Sequence, residues 1–280
     1  DYVREAAMMV RYGELLRGED RFVVPQPYAP LSGPNVLAMD YIDARPIDTL
    51  ASAPQSVRDG AMEALLGLVL RELFGFGFMQ TDPNFANFRY RRETGEIILL
   101  DFGACRPVDP AVANGYRKML LAGLEGKAED VLKATIEAGF MMPIVAEKHP
   151  ERVNKMIEIV IGEMREDAPF DFGDRAFIPL LRDEGYAIAQ DKDTWAFPPI
   201  ETLFVQRKVS GTALLGAAVQ TGSWANAKSA AAAVSISGYR ASSSISSPSV
   251  RCYNLTPCCW SLCRLWGRNC GGCSISAAIS

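Results

Sequence analysis

The sequence predicts an α+β fold that runs helix, short strands, helix and one β-hairpin, ahead of a half that is entirely helical. Three observations predict it. Residues 88–92 alternate apolar and basic side chains, Glu93-Thr94-Gly95-Glu96 supplies a turn, and Ile97 to Leu100 is a short apolar run, which together read as a hairpin. Apolar residues recur at helical spacing through 2–17 and again from Val57 to about Phe74. From Asp109 to about Ala218 the chain reads as a succession of helices joined by short loops.

The first helix carries its apolar stripe on Tyr2, Ala6, Met9, Gly13 and Leu16, opposite Arg4, Arg11 and Glu14, and Gly18 ends it. Glu5 sits near the apolar seam. Asn35 to Ala38 then reads as a short strand, running through Met39 into Asp40-Tyr41-Ile42 and a break at Asp43-Ala44-Arg45-Pro46. Val57, Ala61, Leu65, Leu68 and Glu72, flanked by Leu66, Leu70 and Leu73, describe a mostly buried helix that delivers the chain into Gln80-Thr81-Asp82. Asp109-Pro110 opens the next helix, with proline where its missing N–H does no harm. Helical stretches are expected near 111–125, 127–139, 150–166, 174–190 and 198–218, the last carrying Glu201, Arg207 and Lys208.

The chemistry is concentrated between the buried helix and the hairpin's end. Asp82 and Asn87 lie five residues apart on a loop, and Asp101-Phe102-Gly103 follows an apolar strand 19 residues after Asp82. Phosphoryl-transfer enzymes of the protein-kinase fold need this arrangement: one Asp orients the attacking hydroxyl, and an Asn and a second Asp hold the magnesium that bridges the ATP phosphates. The hairpin would bring Asn87 and Asp101 to facing strand ends, and their oxygen donors suit a hard cation. We therefore assign Asp82 as the catalytic residue, Asn87 and Asp101 as metal ligands, and a protein-kinase-like fold made mostly of the helical C-lobe plus the end of the N-lobe. Glu5 would be the helix glutamate that pairs with a phosphate-gripping lysine. Backbone groups of Asp40, Tyr41 and Ile42 would meet the adenine edge, with Met39 lining the back of that pocket. A second Asp-Phe-Gly, Asp171-Phe172-Gly173, follows no apolar strand and reads as a loop between helices.

Composition narrows the function classes. Residues 223–280 hold five basic residues and no acid, so the formal net of −4 leaves residues 1–222 at −9. An acidic body argues against nonspecific nucleic-acid binding, which depends on Lys and Arg neutralising phosphates. Cys105 is the only cysteine before residue 223, which suits a reducing compartment. Cys270-Gly271-Gly272-Cys273 has metal-ligand spacing, but without a second such pair or a nearby histidine it does not complete a four-ligand zinc site. No apolar run in the body is long enough to span a bilayer, and the first residues resemble neither a signal nor a transit peptide. The division expected is an N-lobe remnant over 1–38, a helical C-lobe with the catalytic hairpin over 39–222, and a Ser/Ala/Cys-rich tail over 223–280. That tail reads as disordered or as a misread gene end.

These residues resemble the UbiB-type (aarF-domain) atypical kinases, and within them the mitochondrial coenzyme Q branch. The resemblance covers roughly residues 1–215. It rests on Asp1-Tyr2-Val3-Arg4-Glu5-Ala6, on Leu73-Phe74 through Gln80-Thr81-Asp82-Pro83-Asn84, on Leu100-Asp101-Phe102-Gly103-Ala104 and on Pro169-Phe170-Asp171-Phe172-Gly173. It implies ATP/ADP and Mg2+ as cofactors and a kinase or ATPase activity supporting ubiquinone synthesis. The partners implied are inner-membrane lipid or isoprenoid intermediates and other ubiquinone-pathway proteins. The location implied is mitochondrial, on the matrix side of the inner membrane. Asp1 would end an acidic family motif. The family's lysine strand, Ala-rich nucleotide loop and Lys-x-Gly-Gln element lie upstream of the position of Asp1. The chain is therefore expected to begin inside the N-lobe and, alone, to be a poor catalyst. Two alternatives stay open: a pseudokinase fragment that binds nucleotide or partners without turnover, and a small-molecule kinase of antibiotic or sugar type.

Overall fold

The Asp1 carboxylate accepts hydrogen bonds from the backbone N–H of Val3 (3.1 Å) and Arg4 (3.2 Å). It thereby caps helix α1 (Tyr2–Leu15), whose first donors have no partner within the helix. In this computed structural model, which describes residues 1–165, 177–194 and 199–219, the chain continues through β1 (Phe22–Val23), β2 (Arg45–Pro46) and α2 (Gln55–Arg71). Strands β3 (Phe78–Gln80), β4 (Phe88–Arg91), β5 (Glu96–Leu99) and β6 (Cys105–Pro107) follow. Helices α3 (Pro110–Glu125), α4 (Ala128–Glu137), α5 (Pro143–Lys148), α6 (Pro150–Arg165), α7 (Phe177–Ala189) and α8 (Ile200–Ala218) complete the described chain. The expected helices are all present. Helix α5, at six residues too short to show a period, is additional. The second Asp-Phe-Gly and the tail from 223 onward lie outside the described residues.

The hairpin forms as its alternation predicts. Phe88 pairs with Leu99 and Tyr90 with Ile97, antiparallel, and the buried, half-buried pattern along β4 follows the strand's two-residue period. Two-residue strands flank it, giving the order β1-β5-β4-β2 with β1 parallel to β5. A separate antiparallel pair joins β3 to β6 and sets Gln80 opposite Cys105.

One expected strand does not form. The run Asn35–Ala38 is consumed by a tight turn in which Gly33 and Val36 exchange backbone hydrogen bonds (2.8 and 3.3 Å). Beyond it, Tyr28 N–H donates to Ala38 O (2.7 Å) and Asp40 N–H to Gln26 O (3.0 Å), so this stretch only bridges back to Gln26–Tyr28.

Helix α2 ends in a π-helical turn, Glu72–Phe76, and Gly77 then takes a left-handed conformation (φ +58°) that swings the chain into β3. The wider turn carries Glu72 fully into the interior. The core beneath the sheets contains Met9 and Tyr12 of α1, Leu65 and Leu68 of α2, and Phe78, Phe102 and Leu215. The Tyr12 ring lies 5.3 Å from that of Phe102 and 6.4 Å from that of Phe78, both tilted. The described residues all fall within one compact unit, and none of their helices is long and apolar enough to cross a membrane.

Candidate active site

Strand β3 delivers Asp82, and buried side chains fix its approach. Gln80 N–H donates to Glu72 Oε1 (2.8 Å), and Gln80 Nε2 donates to the backbone oxygens of Asp82 (2.9 Å) and Asp101 (3.3 Å). One buried amide thus spans both carboxylate-bearing segments. Thr81 continues the β3–β6 pairing, its N–H and hydroxyl both donating to Ala104 O (3.3 and 2.8 Å).

After Asp82 the chain makes a single 3-10 turn, Phe85–Asn87, capped by Asn84 Oδ1 accepting from Ala86 N–H (3.1 Å). The turn aims Asn87 back at Asp82: Nδ2 lies 3.3 Å from both Asp82 O and Asp82 Oδ2. With Nδ2 used in this way, Oδ1 is the atom left to meet a cation. Asn87 O accepts from Leu100 N–H (3.0 Å), so the hairpin register ties Asn87 to the residue before Asp101. Asn87, Asp101 and Gln80 line one narrow crevice. Asp82, Asn87 and Asp101 are therefore brought together as expected.

Glu5 joins them. A Cβ added at Gly103 would lie 3.4 Å from both Asp101 Oδ1 and Glu5 Oε2, so the two carboxylates flank this glycine. Burial and, next, the neighbouring Asp101 charge push the Glu5 carboxyl above its usual range, against a backbone hydrogen bond at Phe102. Paired carboxylates beside an amide oxygen fit a hard divalent ion. Among the described residues no three His, Cys, Asp or Glu side chains gather into a metal cage. Such an ion would thus rely on few protein donors, as magnesium does when phosphates and water complete its shell.

Met39 and Asp40 are exposed, and Tyr41 is 91% exposed. The Asp40 carboxylate accepts from Gln26 N–H (3.0 Å). The described contacts do not join Met39, Asp40, Tyr41 or Ile42 to the carboxylate cluster.

Four side chains matter here that sequence reasoning passed over. Arg4, read as part of a charged face and of the stretch that carries the resemblance but given no role, donates to Gly103 O (2.7 Å) and Cys105 O (2.8 Å), binding α1 to the segment after Asp101. Arg207 Nη2 lies 2.7 Å from Asp82 Oδ1. Lys208 is buried, 3.3 Å from Glu72 Oε2 and 3.2 Å from Gln80 Oε1. Glu72 Oε1 also accepts the Tyr12 hydroxyl proton (2.6 Å). The available signal was Glu72 itself, an acid four residues after Leu68 on an apolar stripe.

An α+β arrangement with an Asp/Asn loop and an Asp-Phe-Gly just beyond a strand defines a kinase-like fold. Residues 1–135 match the model of the ABC1 atypical kinase-like domain. The chain is 34% identical over 220 residues to "Atypical kinase COQ8B, mitochondrial" of Danio rerio, covering 77% of this chain and 34% of that protein. It is 31% identical over 219 residues to "Atypical kinase COQ8, mitochondrial" of Saccharomyces cerevisiae, covering 77% of this chain and 43% of that protein. The chain belongs to this UbiB-type (ABC1/COQ8) family of atypical kinases. A solved structure of Rv3197 with erythromycin, from Mycobacterium tuberculosis, shares the fold with a TM-score of 0.56 at 18% identity, over 79% of this chain and 55% of that one. The chain spans about a third to two fifths of the length of these two curated relatives.

Proposed function

We propose that this chain carries the catalytic loop and metal-binding half of an ATP- and Mg2+-dependent atypical kinase or ATPase that supports ubiquinone synthesis. The observation that carries the reading is the joining of Asp82, Asn87 and Asp101 through one loop and one hairpin register. Asp82 would orient the attacking hydroxyl or water, and Asn87 Oδ1 with the Asp101 carboxylate would hold the metal. A magnesium ion held there would supply positive charge against the charge that develops on the transferring phosphoryl group. Glu5 would receive the cationic group that relieves its crowding against Asp101. Backbone groups of Asp40, Tyr41 and Ile42, beside Met39, would meet the adenine edge. The relatives' names, which say mitochondrial, support a mitochondrial location. Ubiquinone-pathway proteins and isoprenoid or membrane lipids on the matrix side of the inner membrane are the partners this reading entails.

The test is Asp101→Asn in purified full-length protein. Magnesium-dependent ADP release should fall at least about 100-fold, since the variant loses a charge aimed at the metal. Turnover equal to wild type would remove the metal assignment.

One observation favours a second reading, nucleotide binding without turnover. Among the described residues no lysine pairs with Glu5, whose carboxyl is instead pushed up by burial and, next, by the Asp101 charge. Magnesium–ADP that raises the melting temperature of a protein releasing no ADP would select this reading.

A further inference from the structure

The loop between Asp82 and Asn87 is Pro83-Asn84-Phe85-Ala86 and contains no cation. A carboxylate that must hold one geometry beside a transferring phosphoryl group needs a fixed partner for its second oxygen. Asn87 Nδ2 grips Oδ2 at 3.3 Å, and Oδ1 is met at 2.7 Å by Arg207, a residue 125 positions away on α8. Three features show that this approach is built into the fold. A Cβ added at Gly211, one helical turn beyond Arg207, would fall 2.1 Å from Pro83 Cγ and 2.4 Å from Pro83 Cβ, so α8 docks directly on the catalytic loop and only glycine permits it. Lys208, next to Arg207, is buried against Gln80 and Glu72 behind the same loop. Phe204, one turn earlier, lies beneath the Arg106 guanidinium of β6, 3.2 Å from carbon to ring centroid. Phe204, Lys208 and Gly211 form one stripe of the helix, and Arg207 stands at its edge over Asp82.

We propose that Arg207 is the positioning residue of the catalytic carboxylate, supplied by α8 because the loop supplies no cation of its own. The proposal rests on the phosphoryl-transfer reading of Asp82. Arg207 and Asn87 each hold one oxygen of Asp82, and each oxygen keeps a lone pair for the attacking hydroxyl. Helix α8 lies beyond the residues 1–135 that the family model matches, so the site is completed from outside that segment. A plain surface ion pair would instead contribute about 0–1 kcal/mol to stability and nothing to turnover.

The experiment follows ADP release by purified full-length protein under saturating and limiting ATP, with Arg207→Gln, Arg207→Lys and Gly211→Ala, each also in an Asp82→Asn background. Arg207→Gln should lower kcat about 100-fold, the scale of a misplaced catalytic group. Its KM for ATP and its melting temperature should stay near wild type, since the side chain is 59% exposed. Arg207→Lys should recover about tenfold of that loss, because a point charge reaches the carboxylate without the planar fork. Gly211→Ala should lose kcat while the protein stays folded. In the Asp82→Asn background, Arg207→Gln should change residual turnover less than about twofold, because two residues acting as a unit are not additive. Arg207→Gln at the wild-type rate beside a crippled Asp82→Asn protein, or a full additional loss in that background, overturns the positioning role alone. A wild-type protein that releases no ADP, or an Asp82→Asn protein as fast as wild type, overturns the phosphoryl-transfer reading and this inference with it.

Discussion

Cys105 is the residue whose role the sequence left open, and its surroundings decide it. It sits two positions after Gly103, close enough to the candidate site to be mistaken for a nucleophile. Burial, chiefly, and the nearby Glu72 carboxylate push its thiol up to about 12. A reactive cysteine needs the opposite, an exposed and electropositive setting that yields thiolate at neutral pH. Cys105 is fully buried and packs in the same core as Tyr12 and Phe102. Site-resolved mass spectrometry after iodoacetamide treatment at pH 8 should find Cys105 unmodified in the folded protein and alkylated after unfolding in urea. Modification at equal rates in both states would contradict the burial. The sign for stability follows. The fold favours the protonated thiol, so this contribution is intact below the unfolded value of about 8.5 and is lost as pH rises toward 12. Cys105→Ala should therefore flatten the alkaline fall in melting temperature.

At the level of elements, the group formed by Tyr12, Glu72, Gln80 and Lys208 ties α1, the π-helical turn, β3 and α8 to one another. Glu72 and Lys208 are both buried, at 0% and 2% exposure, so neither charge is solvated by water. Removing one partner of such a pair leaves the other unpaired at a cost of about 3–5 kcal/mol, whereas removing both charges together can be nearly neutral. Lys208→Met should lower the stability measured by urea unfolding by that amount. Glu72→Gln/Lys208→Met should regain most of it, because the amide oxygen introduced by Glu72→Gln can still accept from the Tyr12 hydroxyl and the Gln80 N–H. A double variant as unstable as Lys208→Met alone would assign the loss to packing. The sequence displayed half of this arrangement. Glu72 interrupts an apolar stripe, and Lys208 sits in a helix that is otherwise rich in Val, Leu and Ala. Their pairing depends on a π-helical turn that a 3.6-residue period cannot reveal.

For the molecule as a whole, legibility followed sequence distance. The hairpin, the long helices and the Asp82–Asn87–Asp101 cluster depend on spacing within about 20 residues, and all were readable. The two-residue strands β1 and β2 are too short to show alternation, and the run at Asn35–Ala38 looked like a strand because its glycine turn lay just ahead of it. Contacts made by α8 were out of reach, since nothing local in residues 200–218 points to residues 72–83. Yet that helix belongs to the main core: Leu215 and Val219 pack in the cluster that holds Met9, Leu68 and Phe102. Burying those two side chains contributes about 1.5–3 kcal/mol each, and the loss of Lys208 would strand Glu72 at the cost already argued. Together these rival the roughly 5–15 kcal/mol of a typical domain. A protein ending at residue 199 should therefore show no cooperative thermal transition, or one lowered by more than about 10 °C, when compared with the full chain by circular dichroism. A cooperative melt at the full chain's midpoint would mean that α8 is dispensable for folding. In that case the Arg207–Asp82 contact would be a docking event between an already folded body and a removable helix, rather than a feature of the core.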